Sequence, residues 1–302
     1  MRSYIAAIFL ATLVFSGCNQ MKWFRPNPPM DGGIPLSAGN PTAEAVVACL
    51  NDNARRIQSL ESKDVDLTCT QGQSVNLRAF MACEKPRNFR LRGQVVNNTI
   101  VDMGSNGQEF WWWIGKADPP YLYHCTHEDF SRIQGRVQLP FQPDWVMEAL
   151  GMSEYDPRKD YQLLPGRGNT LELVENALSP QGRPVRKVTV LTRTPNSQIQ
   201  INAHLLKDEQ GREICSAYIT QHQRDNATNA VLPRTVELRW PAEQIKMKMV
   251  INEVQVNREI QPQRTVALFT RPLLKDVPTY DLLRGLESAN PALRPVGGLS
   301  QK

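Results

Sequence analysis

From Lys63 onward, apolar residues recur at every second position, and this alternation constrains the fold more than any other feature of the 302 residues. A period of two places successive side chains on opposite faces of a strand, one for a core and one for solvent. In "DVDLTC", Val65, Leu67 and Cys69 alternate with acids and Thr. In "SVNLRAFMAC", Val75, Leu77, Ala79, Met81 and Cys83 share a face, and in "NFRLRGQVV" Phe89, Leu91 and Val95 oppose Arg90 and Arg92. After Thr170 the pattern returns: Ile199, Ile201, Ala203 and Leu205; then Val236, Leu238 and Trp240; then Ile245, Met247 and Met249, with Lys246 and Lys248 outward. Turn signals ("TQGQ", "VNNT", "GSNG", "DEQG") separate the runs, and a turn at "QGQS" is expected to set Cys69 opposite Asn76. The pattern predicts an antiparallel meander of about ten strands.

Two stretches follow a helical period instead. Asn40 is suited to an N-cap and Pro41 to the first helical turn; Ala43, Val46, Val47, Leu50, Ala54 and Ile57 then form one apolar face, with Glu44, Asn51, Arg55 and Gln58 outward. "PFQPDWVMEALG", Pro140 to Gly151, predicts a short helix opened by Pro143, with Trp145, Val146 and Leu150 as its stripe and Gly151 at its end. No gap in the pattern separates two cores. The expected class is α+β, one domain, a strongly curved sheet carrying its helices on one face.

The first 17 residues read as a secretory signal: Arg2, an apolar run from Tyr4 to Phe15, then Ser16 and Gly17. The run is too short to span a bilayer comfortably. The ending "FSGC" resembles the lipobox of bacterial lipoproteins, which implies cleavage before Cys18 and lipidation of that cysteine. More than one acyl chain then gives stable anchoring. Asn19 after the Cys implies, by analogy with enteric bacteria, the outer membrane facing the periplasm. Residues 18–39 form a Pro/Gly-rich tether, 40–284 the folded domain and 285–302 a loose tail. The net charge of +5 carries no long basic run, which excludes a nucleic-acid binder as a class. Export permits disulfides, but Cys49, Cys69, Cys83, Cys125 and Cys215 are odd in number, and their connectivity is not readable.

Four features then stand in order: the amphipathic helix after the tether, "ACEKPRNFRLRG", "NGQEFWWWIG", and "AVLPRTVELRWP…IKMKMVINEVQVN". Together, from about Ala43 to Arg271, they resemble the LolA/LolB superfamily of periplasmic lipoprotein carriers and receptors. The resemblance implies a half-open β-barrel whose concave face is closed by lid helices over an apolar, acyl-chain-binding cavity. It places Lys85, before Pro86, where the carriers have an arginine that bonds the lid, and Phe89 where an aromatic lines the cavity. Val46 and Leu50 would be lid contacts. The receptor member inserts an exposed apolar loop residue into the membrane; no equivalent is evident from these residues. Val75, Leu77, Phe89, Leu91, Trp112, Ile245, Met247 and Met249 are the cavity candidates. The same residues would serve a plain core, and the adaptable methionines favour the cavity. The implied function is a non-catalytic, membrane-anchored envelope lipoprotein that binds acyl chains or a lipidated partner, with no cofactor. The alternative is a structural or sensory envelope protein using the fold to bind another protein.

An enzyme finds little support. "YHCTHED" holds His124, Cys125, His127 and Glu128, but a strand directs His124 away from Cys125 and His127, and a structural zinc needs four convergent ligands. No nucleophile elbow, Walker loop or dinucleotide fingerprint is present. "EFWWWIG" poses a different question. Phe110, Trp112 and Ile114 share one face, so Trp111 and Trp113 face away and need a covering segment, a partner or a membrane; the tether and the tail are the candidates to cover them.

Overall fold

The computed structural model describes residues 33–35, 41–96, 98–115, 117, 120–133, 143–179, 183–194, 198–242, 244–259 and 261–289. The signal, Cys18, most of the tether, the Asn40 cap and residues 290–302 lie outside the described residues.

The alternating runs pair into one large, open, curved sheet. The first half contains β2 (Ser59–Gln71), β3 (Gln73–Glu84), β4 (Asn88–Val95), β5 (Asn98–Ser105), β6 (Glu109–Ile114) and β7 (Leu122–Thr126), preceded by β1 (Ile34–Pro35). The second contains β8 (Tyr161–Pro165), β9 (Thr170–Leu178), β10 (Pro184–Arg193), β11 (Gln198–Asp208), β12 (Glu213–Arg224), β13 (Val231–Trp240) and β14 (Ile245–Asn252). The short strands β15 (Gln255–Val256) and β16 (Thr279–Asp281) follow. The order is β16-β7-β6-β5-β4-β3-β2-β14-β13-β12-β11-β10-β9-β8, so β14 beside β2 joins the two meanders. All pairs are antiparallel except β16 with β7. Among the described residues the count is 16 strands rather than about ten, because short edge pieces such as β1, β15 and β16 escape a periodicity reading.

Among the described residues five helices accompany the sheet: α1 (Ala43–Arg55), α2 (His127–Ile133), α3 (Pro143–Ala149), α4 (Pro262–Leu268) and α5 (Leu282–Ala289). Thr42, two residues after the expected Asn40 and one after Pro41, caps α1, its Oγ1 accepting from the Ala45 N–H at 3.2 Å, with Glu44 in the first turn and Arg55 in the last. Gly151 closes the α3 region with φ of 75°, a left-handed position suited to glycine.

Several expectations shift. At the "QGQS" turn Cys69 pairs with Val75, and Thr68 with Asn76, because the turn closes on Gly72 alone, between paired Gln71 and Gln73. A register irregularity at Gly93/Gln94 ends the alternation of β4, leaving Val95 exposed. Asn51 and Arg90, both read as outward, are 2% and 5% exposed. The tether is not free throughout: Ile34 pairs with Ile199 of β11 and is buried. Helix α5 runs to Ala289, into residues read as tail.

Candidate functional site

The apolar face of the sheet meets two helices in two different ways. Under α3 it is solid. Val65, Leu67, Ala79, Met81, Cys83, Phe89, Leu91, Val236, Leu238, Met247, Met249 and Ile251 form one buried cluster with Val146, Met147 and Ala149 of α3 and with Leu150 and Met152 after it. Trp145 packs edge-on against Trp240, centroids 5.6 Å apart. Of the cavity candidates, Leu77, Phe89, Leu91, Met247 and Met249 lie in this cluster, and Ile245 packs at its margin. Val75 sits at the β2–β3 hairpin end, 40% exposed. Trp112 belongs to a separate aromatic cluster, stacked on Tyr123 with centroids 5.1 Å apart.

Under α1 the packing is apolar but the fastening is polar. Val46, Val47 and Leu50 meet Ile34, Leu173, Leu191, Ile199 and Val231. Asn53 then grips the backbone of Val231 twice: its Nδ2 donates to the carbonyl at 2.9 Å, and its Oδ1 accepts from the N–H at 2.8 Å. Asn51 does the same to Tyr155, at 2.8 and 2.7 Å. Lys85 Nζ donates to the Ala54 carbonyl at the C-terminal end of α1, at 2.8 Å. The asparagine clasps tie α1 to backbone groups of Val231 and Tyr155, and Lys85 adds a second donor to the Ala54 carbonyl, which also accepts from the Ile57 N–H. Sequence reasoning missed both asparagines. The available signal was "NDN" inside a capped helix, where asparagine is a poor helix former without another task.

Between α1, the chain after α3 and strands β11–β13 lies a cavity of about 30 Å³. Its lining includes Ile34, Leu50, Glu148, Ile201, His204 and His222. It sits where the sheet parts: the β11–β12 ladder stops at Ala203–Tyr218, and beyond it His222 Nε2 donates to the Ile201 carbonyl at 2.9 Å in place of a strand. Burial lowers the pKa of both His204 and His222, so both rings are held neutral near pH 7. His204 Nδ1 lies 3.4 Å from the Thr189 hydroxyl and 3.9 Å from Glu148 Oε1, while its buried Nε2 has no partner among the described residues.

The opposite face of the same sheet answers the triple-tryptophan question. Trp111 is fully buried there, stacked across from Gly104, where any Cβ would overlap its ring. Its Nε1 donates to Asp102 at 3.3 Å, and Arg90 lies over the ring, 5.3 Å from the centroid. Arg90 and Asp102 form a buried ion pair at 2.7 Å. Arg90 also donates to the Leu268 and Thr270 carbonyls, and Asn106 to that of Phe269, so among the described residues the chain around the end of α4 covers Trp111. Arg264 with Glu61 and Arg271 with Glu109 pin its two ends.

The "YHCTHED" residues disperse. Cys125 is buried, His127 begins α2 and bonds the Asn106 carbonyl, and His124 faces Glu109 at 3.8 Å. Among the described residues, no group of three or more His, Cys, Asp or Glu is placed to hold a metal. The cysteines are also apart in role: Cys49 Sγ donates to the Pro35 carbonyl, Cys83 is buried in the main core, and Cys69 and Cys215 pack at its margin. At the β4–β5 turn, Val96 is 88% exposed with φ of 46°, an uncommon conformation for a β-branched residue.

No protein-family model matches the chain, and no curated protein matches it in sequence. Solved structures do match its fold. A DUF1329 family protein from Desulfovibrio piger aligns with a TM-score of 0.50 at 9% identity, covering 76% of this chain and 96% of that one. A putative outer membrane lipoprotein-sorting protein domain from Vibrio parahaemolyticus aligns at 0.49 and 8%, over 76% and 98%. A LolA superfamily protein from Nitrosomonas europaea aligns at 0.44 and 12%, over 77% and 99%. The chain shares the fold of the DUF1329 family protein.

Proposed function

We propose that the protein is a non-catalytic lipoprotein of the cell envelope, anchored through Cys18, which takes acyl chains between its sheet and a lid formed by α1 on the concave side. One observation carries the reading: α1 closes over a cavity and is fastened by a few replaceable polar clasps. Ligand pockets usually exceed about 300 Å³. At about 30 Å³ the present cavity is a closed state, and an acyl chain enters by parting Leu50 and Ile34 from Ile201 and Val231. Burial of each methylene contributes about 0.8 kcal/mol, so a sixteen-carbon chain brings roughly 12 kcal/mol to offset the contacts it displaces. Val96, held out of the sheet in a strained turn, is the residue proposed to touch the bilayer. No described helix is long and apolar enough to cross a membrane, and the anchor is assigned to Cys18 instead.

Native mass spectrometry of the full chain, with displacement of a fluorescent fatty acid, tests the binding. Bound acyl masses and displacement are expected; neither would appear if the sheet is only a core. Cys18→Ser is expected to abolish palmitate labelling and release the protein from membranes, and continued labelling refutes the anchor. The small cavity favours a second reading, in which the fold is a protein-interaction module of the envelope. A stable protein partner co-purifying with a lipid-free chain distinguishes it.

A further inference from the structure

We propose that the cavity beneath α1 binds the polar head of a single-chain amphiphile, a hydroxyl or an un-ionised carboxyl, at His204 Nε2, so that the ligand enters head first. This rests on the reading above that acyl chains enter between α1 and the sheet, and adds which end leads and what it must carry.

His204 is 4% exposed and lines the cavity. Its Nδ1 side is furnished: the Thr189 hydroxyl lies at 3.4 Å and is itself bonded to the Tyr155 hydroxyl at 2.9 Å, with Glu148 beyond at 3.9 Å. Its Nε2 is buried without a partner among the described residues. A buried ring nitrogen without a hydrogen bond is unfavourable, and a ligand group that supplies one gains specifically from that site. A cavity of about 30 Å³ suits a group of this kind. A water needs roughly 10–15 Å³, so a hydroxyl or carboxyl fits where a chain end of several carbons does not.

The surroundings select the charge of the head. A neutral imidazole presents one donor and one acceptor, and the hydroxyl of Thr189 serves either arrangement at Nδ1. A hydroxyl or protonated carboxyl can likewise donate or accept at Nε2. An ionised carboxylate would enter beside Glu148 in a poorly solvated space, which disfavours it. A cationic head is disfavoured by desolvation and by the apolar wall of Ile34, Leu50, Ile201 and Val231 that it must pass.

Titration calorimetry of the full chain with 1-dodecanol, dodecane and dodecanoic acid tests this. Dodecanol is expected to bind at least tenfold more tightly than dodecane. Dodecanoic acid is expected to match dodecanol below its own carboxyl pKa and to weaken at least tenfold above it, with Glu148→Gln reducing that loss. The His204 Nε2 nitrogen resonance should shift with dodecanol and not with dodecane. His204→Leu should bring dodecanol and dodecane to equal affinity. Equal binding of all three probes to the unmodified chain overturns the head-first site while leaving acyl binding intact. Binding of none overturns both, and a His204 resonance unmoved by bound dodecanol places the head elsewhere and also refutes the site.

Discussion

The two helices that meet the apolar face of the sheet do so by different chemistry. Under α3, side chains interlock as an apolar cluster: Phe89, Leu91, Met81 and Leu67 are each 1% exposed or less, and the residues α3 sets among them are apolar, while its Asp144 and Glu148 pair at the cluster's edge with Arg87 and His204. Under α1, three apolar residues share the work with Asn51, Asn53 and Lys85, and a cavity with two neutral histidines remains. Interlocked apolar contacts are non-directional and fail together, whereas an amide clasp is either made or broken. The first arrangement suits a permanent core, and the second suits an interface that opens and recloses to one register.

The largest expected effect is in the solid half. Phe89→Ala should cost about 3–5 kcal/mol, the range for truncating a fully buried aromatic. Denaturant unfolding measures it. Lipid uptake per folded molecule should change little, and uptake that rises sharply would show that the cluster under α3, not α1, guards the cavity. Next comes the opposite face of the sheet. Asp102→Ala strips the partner from buried Arg90 and should also cost about 3–5 kcal/mol. It should additionally loosen the chain after α4, because Arg90 is what ties the Leu268 and Thr270 carbonyls to the sheet. Limited proteolysis near Thr270 reads that out, and unchanged cleavage would mean that the Arg264 and Arg271 pairs hold the cover alone. Asn53→Ala removes two buried hydrogen bonds and should cost about 1–3 kcal/mol. It should raise lipid uptake at the same time, the opposite of a simple loss of stability. If uptake falls with stability, α1 is a structural helix and the contrast between the two helices has no functional content.

That contrast was only half legible in the sequence. The face shared by Leu67, Leu77, Phe89, Met247 and Met249 followed from alternation, because period-two patterning and strand geometry are the same statement. The helix at 43–55 followed from its apolar stripe for the same reason. The clasps did not follow. Asn51 lies on the polar side of that stripe, and only the arrival of the Tyr155 backbone, 104 residues away, turns it inward. Arg90 reads as a solvent residue until the chain at 268–270 folds over it. His204 occupies the position in β11 that unbroken alternation assigns to the polar face, yet the register shift at Val190/Leu191, which leaves Asn202 unpaired, turns it to the face of Leu191 and Ile201, where Tyr155, Thr189 and Glu148 close around it at 4% exposure. Patterning reports one element at a time, and these three side chains take their roles from segments that are distant in the chain. The same limit applied to "WWW": the alternation showed that two faces needed cover, but not which segment would supply it.

The smallest predicted effect separates the two regions by pH. His204 and His222 have pKa values lowered by burial, whereas the unfolded value is about 6.5. The folded state therefore binds fewer protons than the unfolded chain below that value, so the stability from these groups is present above pH ~6.5 and is lost as pH falls through the folded pKa. Each unit of difference corresponds to about 1.4 kcal/mol, and the carboxylate of Glu148 near His204 moderates the loss there by favouring the charged ring. Asp102 runs the other way. Burial raises its pKa against the pull of Arg90, so its contribution is fullest at low pH and declines as pH rises through its folded value. Between pH 7 and 5, the α1 region should thus loosen while the Arg90–Asp102 face does not. Amide hydrogen exchange, corrected for the intrinsic pH dependence of the rate, resolves the two: protection should drop across α1 and β11–β12 and hold across β4 and β5, whereas β6 lies beside His124, whose pKa burial also lowers. His204→Gln should flatten the response in the first region alone. A uniform loss across both regions would show one cooperative unit and remove the basis for an α1 that opens independently of the core.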